Sequence, residues 1–266
     1  MKNATQLLVD CSGDFLATTH IIKNDELLLN FDLQLSDGSL IPYEILARIG
    51  DNAVTAQEYM PKQLPAYCPE RHINSNGTFC MYWAGDNDLN VVDEQSAIVW
   101  WETLFQFLKL QVRAQKREEW PNNNYWAHGE AAFFQKNAYE AASNLGERFL
   151  ELLKQKSLKA VFLKRNTGNG NFLRVYLQDK HYYTVWLDHK KTACLKQICI
   201  CSKKGNVCFK RCGDHAQFAF DLAFNLYEWD KAEKNFWESY KHKKCCGTIK
   251  ECPLRKDGKL KSNPCK

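Results

Sequence analysis

The chain of 266 residues contains no uncharged apolar stretch of the ~18 residues that a membrane-spanning helix needs. Its best candidate, AIVWWETLFQFLKLQV at 97–112, is interrupted by Glu102 and Lys109. The opening MKNATQLLVDCSGDF has only a short apolar run and soon turns acidic, so no secretory leader is read there and a cytoplasmic location is expected. There is no convincing glycine-rich phosphate loop, no internal repeat and no low-complexity linker. Cysteine is sparse in the first half, which holds only Cys11, Cys68 and Cys80 of the twelve. Without a leader, a disulfide framework is not expected, and clustered thiols point to metal instead.

What is present is unevenly placed. The net charge of +5 is concentrated at the end: residues 241–266 hold nine Lys/Arg against two acids, and the rest of the chain is close to neutral. Such a tail fits an acidic partner or nucleic acid, or is simply a solvated end. Nine cysteines lie beyond residue 193. Among them Cys199, Cys201, Cys208 and Cys212, with His215 nearby, precede one helical stretch, and Cys245, Cys246, Cys252 and Cys265 follow it. The first four are the expected ligands of a structural zinc ion, which takes about four Cys/His donors, although their spacing matches no named finger.

The pattern of apolar residues reads as α+β. FLATTHIIK, ELLLNFDLQL and LIPYEILARI, separated by turn signals, predict an antiparallel meander across 5–50. Residues 51–76, with prolines and INSNG, read as an extended loop. Ile98, Trp101, Leu104, Phe105, Leu108 and Val112 recur at helical spacing behind a capping Asp93. A second helix is expected across AAFFQKNAYEAASNLGERFLELLKQ, three strands across KAVFLKR, NFLRVYLQ and HYYTVWL, and a third helix across AQFAFDLAFNLYEWDKAEKNFWESY. The texture changes near 157, dividing the chain into 1–157 and a cysteine-rich, basic 158–266.

One stretch carries chemistry: CPERHINSNGTFC, residues 68–80. As a metal clamp it offers Cys68, His72 and Cys80, at a spacing of four then eight that fits no common finger. As structure it is a turn followed by a buried cysteine. As a catalytic segment it presents Cys80 just past a Gly-containing turn, where a thiol can form a thioester and hand the acyl group on. Asn74 stands six residues upstream, able to offer N–H groups to an oxyanion or to brace the loop, and His72 precedes it. Asp86, Asp88 and His128 are further titratable groups for which a structural role outweighs a catalytic one, and Trp120 and Trp126 read as core or loop anchors rather than partner contacts.

This segment resembles the active site of ubiquitin-conjugating enzymes, whose His-Pro-Asn tripeptide, glycine turn and catalytic cysteine occur here as His72-Ile73-Asn74, SNGTF and Cys80. It is more similar to the bacterial branch, which the later EEWPNNNYWAHG also resembles; the likeness covers roughly residues 5–155. It departs in having Ile73 for proline and a shorter interval from Asn74 to Cys80. The resemblance implies a ubiquitin-conjugating-like domain in which Cys80 accepts a protein C-terminus as a thioester and passes it to an amine, with no cofactor at that site. The activated donor, or the enzyme that activates it, is then supplied in trans. Bacterial relatives serve antiviral (CBASS) operons, so the implied partner is a cGAS-like nucleotidyltransferase, or alternatively a dedicated ubiquitin-like protein. Two rival readings are a zinc-dependent nucleic-acid- or partner-binding module built on the basic end, and a cysteine hydrolase using Cys80 with His72 or His128.

Overall fold

The computed structural model describes residues 2–50, 53–83, 85, 89–121, 126–164, 170–201 and 207–255. Asp86, Asp88, Cys265 and the last part of the basic end, from 256 on, lie outside them. The fold is α+β, as expected: two antiparallel four-stranded sheets with helices, divided into two compact units. The first unit takes the chain up to residue 125 and takes it up again from 243; the second takes 126–242. The boundary expected near 157 falls inside the second unit, between its helices and its sheet.

The first unit opens with helix α1, Ala4–Cys11, which the sequence reading did not include. It is only two turns long and is held by its cap, the Asn3 side chain accepting from the Gln6 N–H at 2.9 Å, and by burial of Leu7 and Leu8. Strands β1 (Thr18–Lys23), β2 (Glu26–Gln34), β3 (Leu40–Ile49) and β4 (Val54–Glu58) then form the meander in sequential order. In β2, alternation sends Leu27, Leu29, Phe31 and Leu33 to one buried face. Strand β4 corrects the reading of 51–76 as loop throughout: Val54 and Ala56 are buried, and their register is set by pairing with Ile49 and Ala47.

Helix α2, Glu94–Arg117, begins at the expected Asp93, which makes a reciprocal capping box with Ser96. Its apolar stripe lies on the sheet. Trp100 and Trp101 are fully buried, yet each indole N–H finds a carbonyl, of Val54 at 3.0 Å and of Leu8 at 3.1 Å. Satisfying the polar edge lets these large rings contribute their full apolar area, and truncating such a residue to Ala costs about 3–5 kcal/mol.

In the second unit the expected single helix over 131–155 is two: α3, Ala131–Leu145, and α4, Glu147–Lys154. Gly146 separates them at φ 122 and ψ 161, a conformation that no helix contains and that glycine alone adopts readily. Strands β5 (Leu158–Lys164), β6 (Asn171–Leu177), β7 (Lys180–Trp186) and β8 (Lys191–Thr192) pair in order. Helix α5, His215–Tyr240, packs with α3 and with the sheet around Leu173, Val175, Tyr183 and Val185. The alanines Ala138, Ala142, Ala219 and Ala223 keep that core compact, and the Tyr183 hydroxyl donates to the Ala219 carbonyl at 3.0 Å.

Candidate active site

The loop from Leu64 to Cys80 is fixed at both ends before it presents the thiol. At its start the buried Glu58 carboxylate accepts from the Gln63 and Leu64 N–H groups at 2.9 and 3.0 Å. Cys68 and Ile73 then exchange backbone hydrogen bonds of 3.1 and 2.9 Å around a tight turn, Pro69–Arg71. Arg71, 1% exposed, points inward. Its guanidinium donates to the Gln111 side chain at 2.8 Å, to the Gln111 carbonyl at 3.1 Å and to Thr248 Oγ1 at 3.2 Å. Gln111 Nε2 returns a bond of 2.5 Å to the Arg71 carbonyl, so the loop is pinned to α2 through a fully buried reciprocal pair.

His72 occupies the left-handed region at φ 54, which turns the chain toward Asn74. Its carbonyl accepts from the Cys80 N–H at 2.8 Å, and its ring lies 5.0 Å from that of Trp120, which also faces Phe107. Trp120 is thus the loop anchor that its position implied. Residues 74–78 form a small turn. The Asn74 N–H donates to the Thr78 carbonyl at 2.8 Å, Asn74 Nδ2 donates to Thr78 Oγ1 at 3.0 Å, and Asn76 Oδ1 accepts from the Thr78 N–H and hydroxyl. Gly77 at φ 85 supplies the positive φ that the turn requires. Phe79 then locks to the sheet through the Ala56 carbonyl at 2.7 Å and stacks on Phe107 at 4.9 Å.

Cys80 emerges from this frame half-buried, its Sγ 3.8 Å from the Tyr82 carbonyl. The same loop thus brings Cys80, His72 and Asn74 together. Burial pushes the Cys80 thiol above its ordinary value, so at neutral pH it is held as the thiol. The other two cysteines of the first half are both buried: Cys11 sits in the core against the Glu94 carbonyl, and Cys68 is wholly enclosed. Cys68, His72 and Cys80 do not gather into a metal-ligating group. His128 lies in the second unit, stacked on Phe236 at 4.7 Å and edge-on to Trp237, where burial lowers its pKa to about 4.

The second unit holds a metal-ligating group. Cys199, Cys201, Cys212 and His215 place their donor atoms within 4.8 Å of one another. His215 Nδ1 is 3.4 Å from Cys199 Sγ and 3.2 Å from Cys212 Sγ, and Cys201 and Cys212 are 3.6 Å apart. A tetrahedral ion with bonds of about 2.3 Å to sulfur and 2.0–2.1 Å to nitrogen spaces its ligands by about 3.8 Å (S···S) and 3.5 Å (S···N), within a few tenths of an ångström of these values. Three of the four cysteines expected as ligands are therefore brought together; Cys208 stands apart, capping the turn Phe209–Arg211, and His215 completes the set from the first residue of α5. The spacing Cys212-Gly-Asp-His215 was the signal for it.

Among the described residues no helix is long and apolar enough to cross a membrane. Comparison of the chain with curated proteins and with solved structures yields no match in either. Two family models do match: the prokaryotic E2 domain over residues 16–122, and the cysteine-rich domain C-terminal to E2 domains over 127–254. The first covers the meander, α2 and the Cys80 loop; the second covers the Cys199 group and reaches Cys252. The chain belongs to the prokaryotic ubiquitin-conjugating-like (E2) proteins that carry a C-terminal cysteine-rich extension.

Proposed function

We propose that the chain is a cysteine-thioester transferase with Cys80 as its nucleophile. The observation that carries this is the half-buried Cys80 thiol at the end of a loop braced through Arg71, His72, Asn74 and Phe79, in a domain of conjugating type. In the first step Cys80 Sγ attacks the carbonyl of a donor protein's C-terminal thioester. The carrier leaves as its thiolate, and the donor is held on Cys80. In the second step an acceptor amine attacks that carbonyl and gives up a proton to solvent, an amide forms as the C–S bond breaks, and Cys80 departs as thiolate. His72 and Asn74 act as positioning residues, one through its carbonyl on the Cys80 N–H and the other through its clasp on Thr78.

The donor in this reading is the C-terminus of a cGAS-like nucleotidyltransferase, whose conjugation primes second-messenger synthesis in antiviral defence. It arrives from an activating enzyme or already activated. A dedicated ubiquitin-like protein is the competing donor, and the same experiment separates the two. Zinc is the ion assigned to Cys199, Cys201, Cys212 and His215, where three thiols and an imidazole suit its borderline-soft character, and its task there is structural.

The test is intact-protein mass spectrometry after co-expression with neighbouring genes of the operon. Wild type should carry a reductant-labile adduct, Cys80→Ser a reductant-stable one and Cys80→Ala none; the adduct mass names the donor. An operon that is demonstrably active while Cys80 carries nothing would overturn the transferase reading.

A further inference from the structure

The segment 243–255 belongs to the first unit, and it delivers Cys245, Cys246 and Cys252 to Cys68. The four share a small enclosed cluster with Ala114 and Ile249. Cys246 Sγ lies 2.7 Å from Cys68 Sγ, and Cys245 and Cys252 pack in the same cluster. Cys245 Sγ accepts the Gly247 N–H at 3.3 Å, and Cys246 Sγ lies 3.1 Å from Thr248 Oγ1. Four thiols gathered from two distant segments into one small cluster are a donor set of the kind that a tetrahedral ion takes.

A second observation points the same way. The buried Arg71 guanidinium makes all its hydrogen bonds to neutral groups, and among the described residues no carboxylate pairs with it. An enclosed cation requires a counter-charge. The ionisable groups close enough to act on it are Cys68, Cys246 and Tyr43. Sulfur is thus the natural site of the missing negative charge.

We propose that Cys68, Cys245, Cys246 and Cys252 form a second metal centre, a four-thiolate site for a divalent cation of the zinc class. On binding, four S–H bonds are lost and four S–metal bonds form. The protons pass to solvent and no electron changes hands. The resulting centre carries two negative charges, one of which Arg71 offsets. The Cys199 group already has every donor within 4.8 Å; here the ion draws the four clustered sulfurs into one tetrahedron and spaces Cys68 and Cys246 to about 3.8 Å. One ligand comes from the base of the Cys80 loop and three from the end of the chain, so the ion cross-links the two. The family model of the cysteine-rich domain includes the latter three but not Cys68.

Native mass spectrometry of the full chain, expressed with zinc and purified under reducing conditions, tests the proposal. Two zinc ions per chain are expected, falling to one in Cys246→Ser, to one in Cys212→Ser and to none in the double variant. Should a variant fail to fold, wild type decides: Cys68, Cys245, Cys246 and Cys252 should resist alkylation until a chelator is added. A single zinc ion in wild type, alkylation of Cys246 with the ions in place, or a Cys68–Cys246 disulfide would each overturn it.

Discussion

Cys80 owes its raised pKa to enclosure rather than to a charged neighbour, and this fixes the sign of its pH response. Below the pKa the reactive thiolate fraction grows about tenfold per pH unit. Alkylation of Cys80 by iodoacetamide should therefore rise steadily from pH 6.5 to 8.5 without reaching a plateau, with Cys80→Ser as the blank; a plateau near neutrality would mean that a base assists it. Gly77 is a second single-residue case. At φ 85 a side chain is strained, so Gly77→Val should destabilise the first unit by about 1–2 kcal/mol and lower its melting temperature. The turn that presents Cys80 was legible in the sequence because the turn and the cysteine are contiguous. The Arg71–Gln111 pair was not, because its partners are forty residues apart and nothing in either residue's type announces the other.

Elements differ in how openly the sequence declares them. Helix α2 is long, amphipathic and capped, so period and cap agreed; α1 has two turns and β4 five residues, too few for a period to stand out from the loops beside them. Gly146 gives the sharpest contrast. If 131–155 were one helix, Gly146→Ala would stabilise it by roughly 0.5–1 kcal/mol. With φ 122 at the break, the same change should destabilise the second unit by about 1 kcal/mol or more, a difference of sign that a denaturant titration reads directly. In the first unit, Gln111→Leu strips Arg71 of its main partner on α2. Leaving a buried guanidinium short of acceptors costs about 3 kcal/mol, and the Cys80 loop should loosen with it, seen as faster hydrogen exchange at residues 71–80.

For the whole molecule, two compact units predict two thermal transitions; a chelator should lower the one that reports on α3 to α5, where the Cys199 group lies, and, with a metal held by Cys68, Cys245, Cys246 and Cys252, the other as well. The texture change at 157 marks where strands resume after helices, a shift in local period. The division of the units is set by which residues pack together, and a linear scan does not register that residues 243–255 return to the first unit. Thr248, the Arg71 partner, is among them. A fragment ending at 125 should accordingly be less stable than the first unit within the full chain. The same return path orders events on the ribosome. Cys80 is synthesised long before Thr248, and at 5–20 residues per second the interval is on the order of ten seconds. A nascent or prematurely terminated chain therefore displays the Cys80 thiol on an unfinished loop, and the first unit to be begun is the last to be completed.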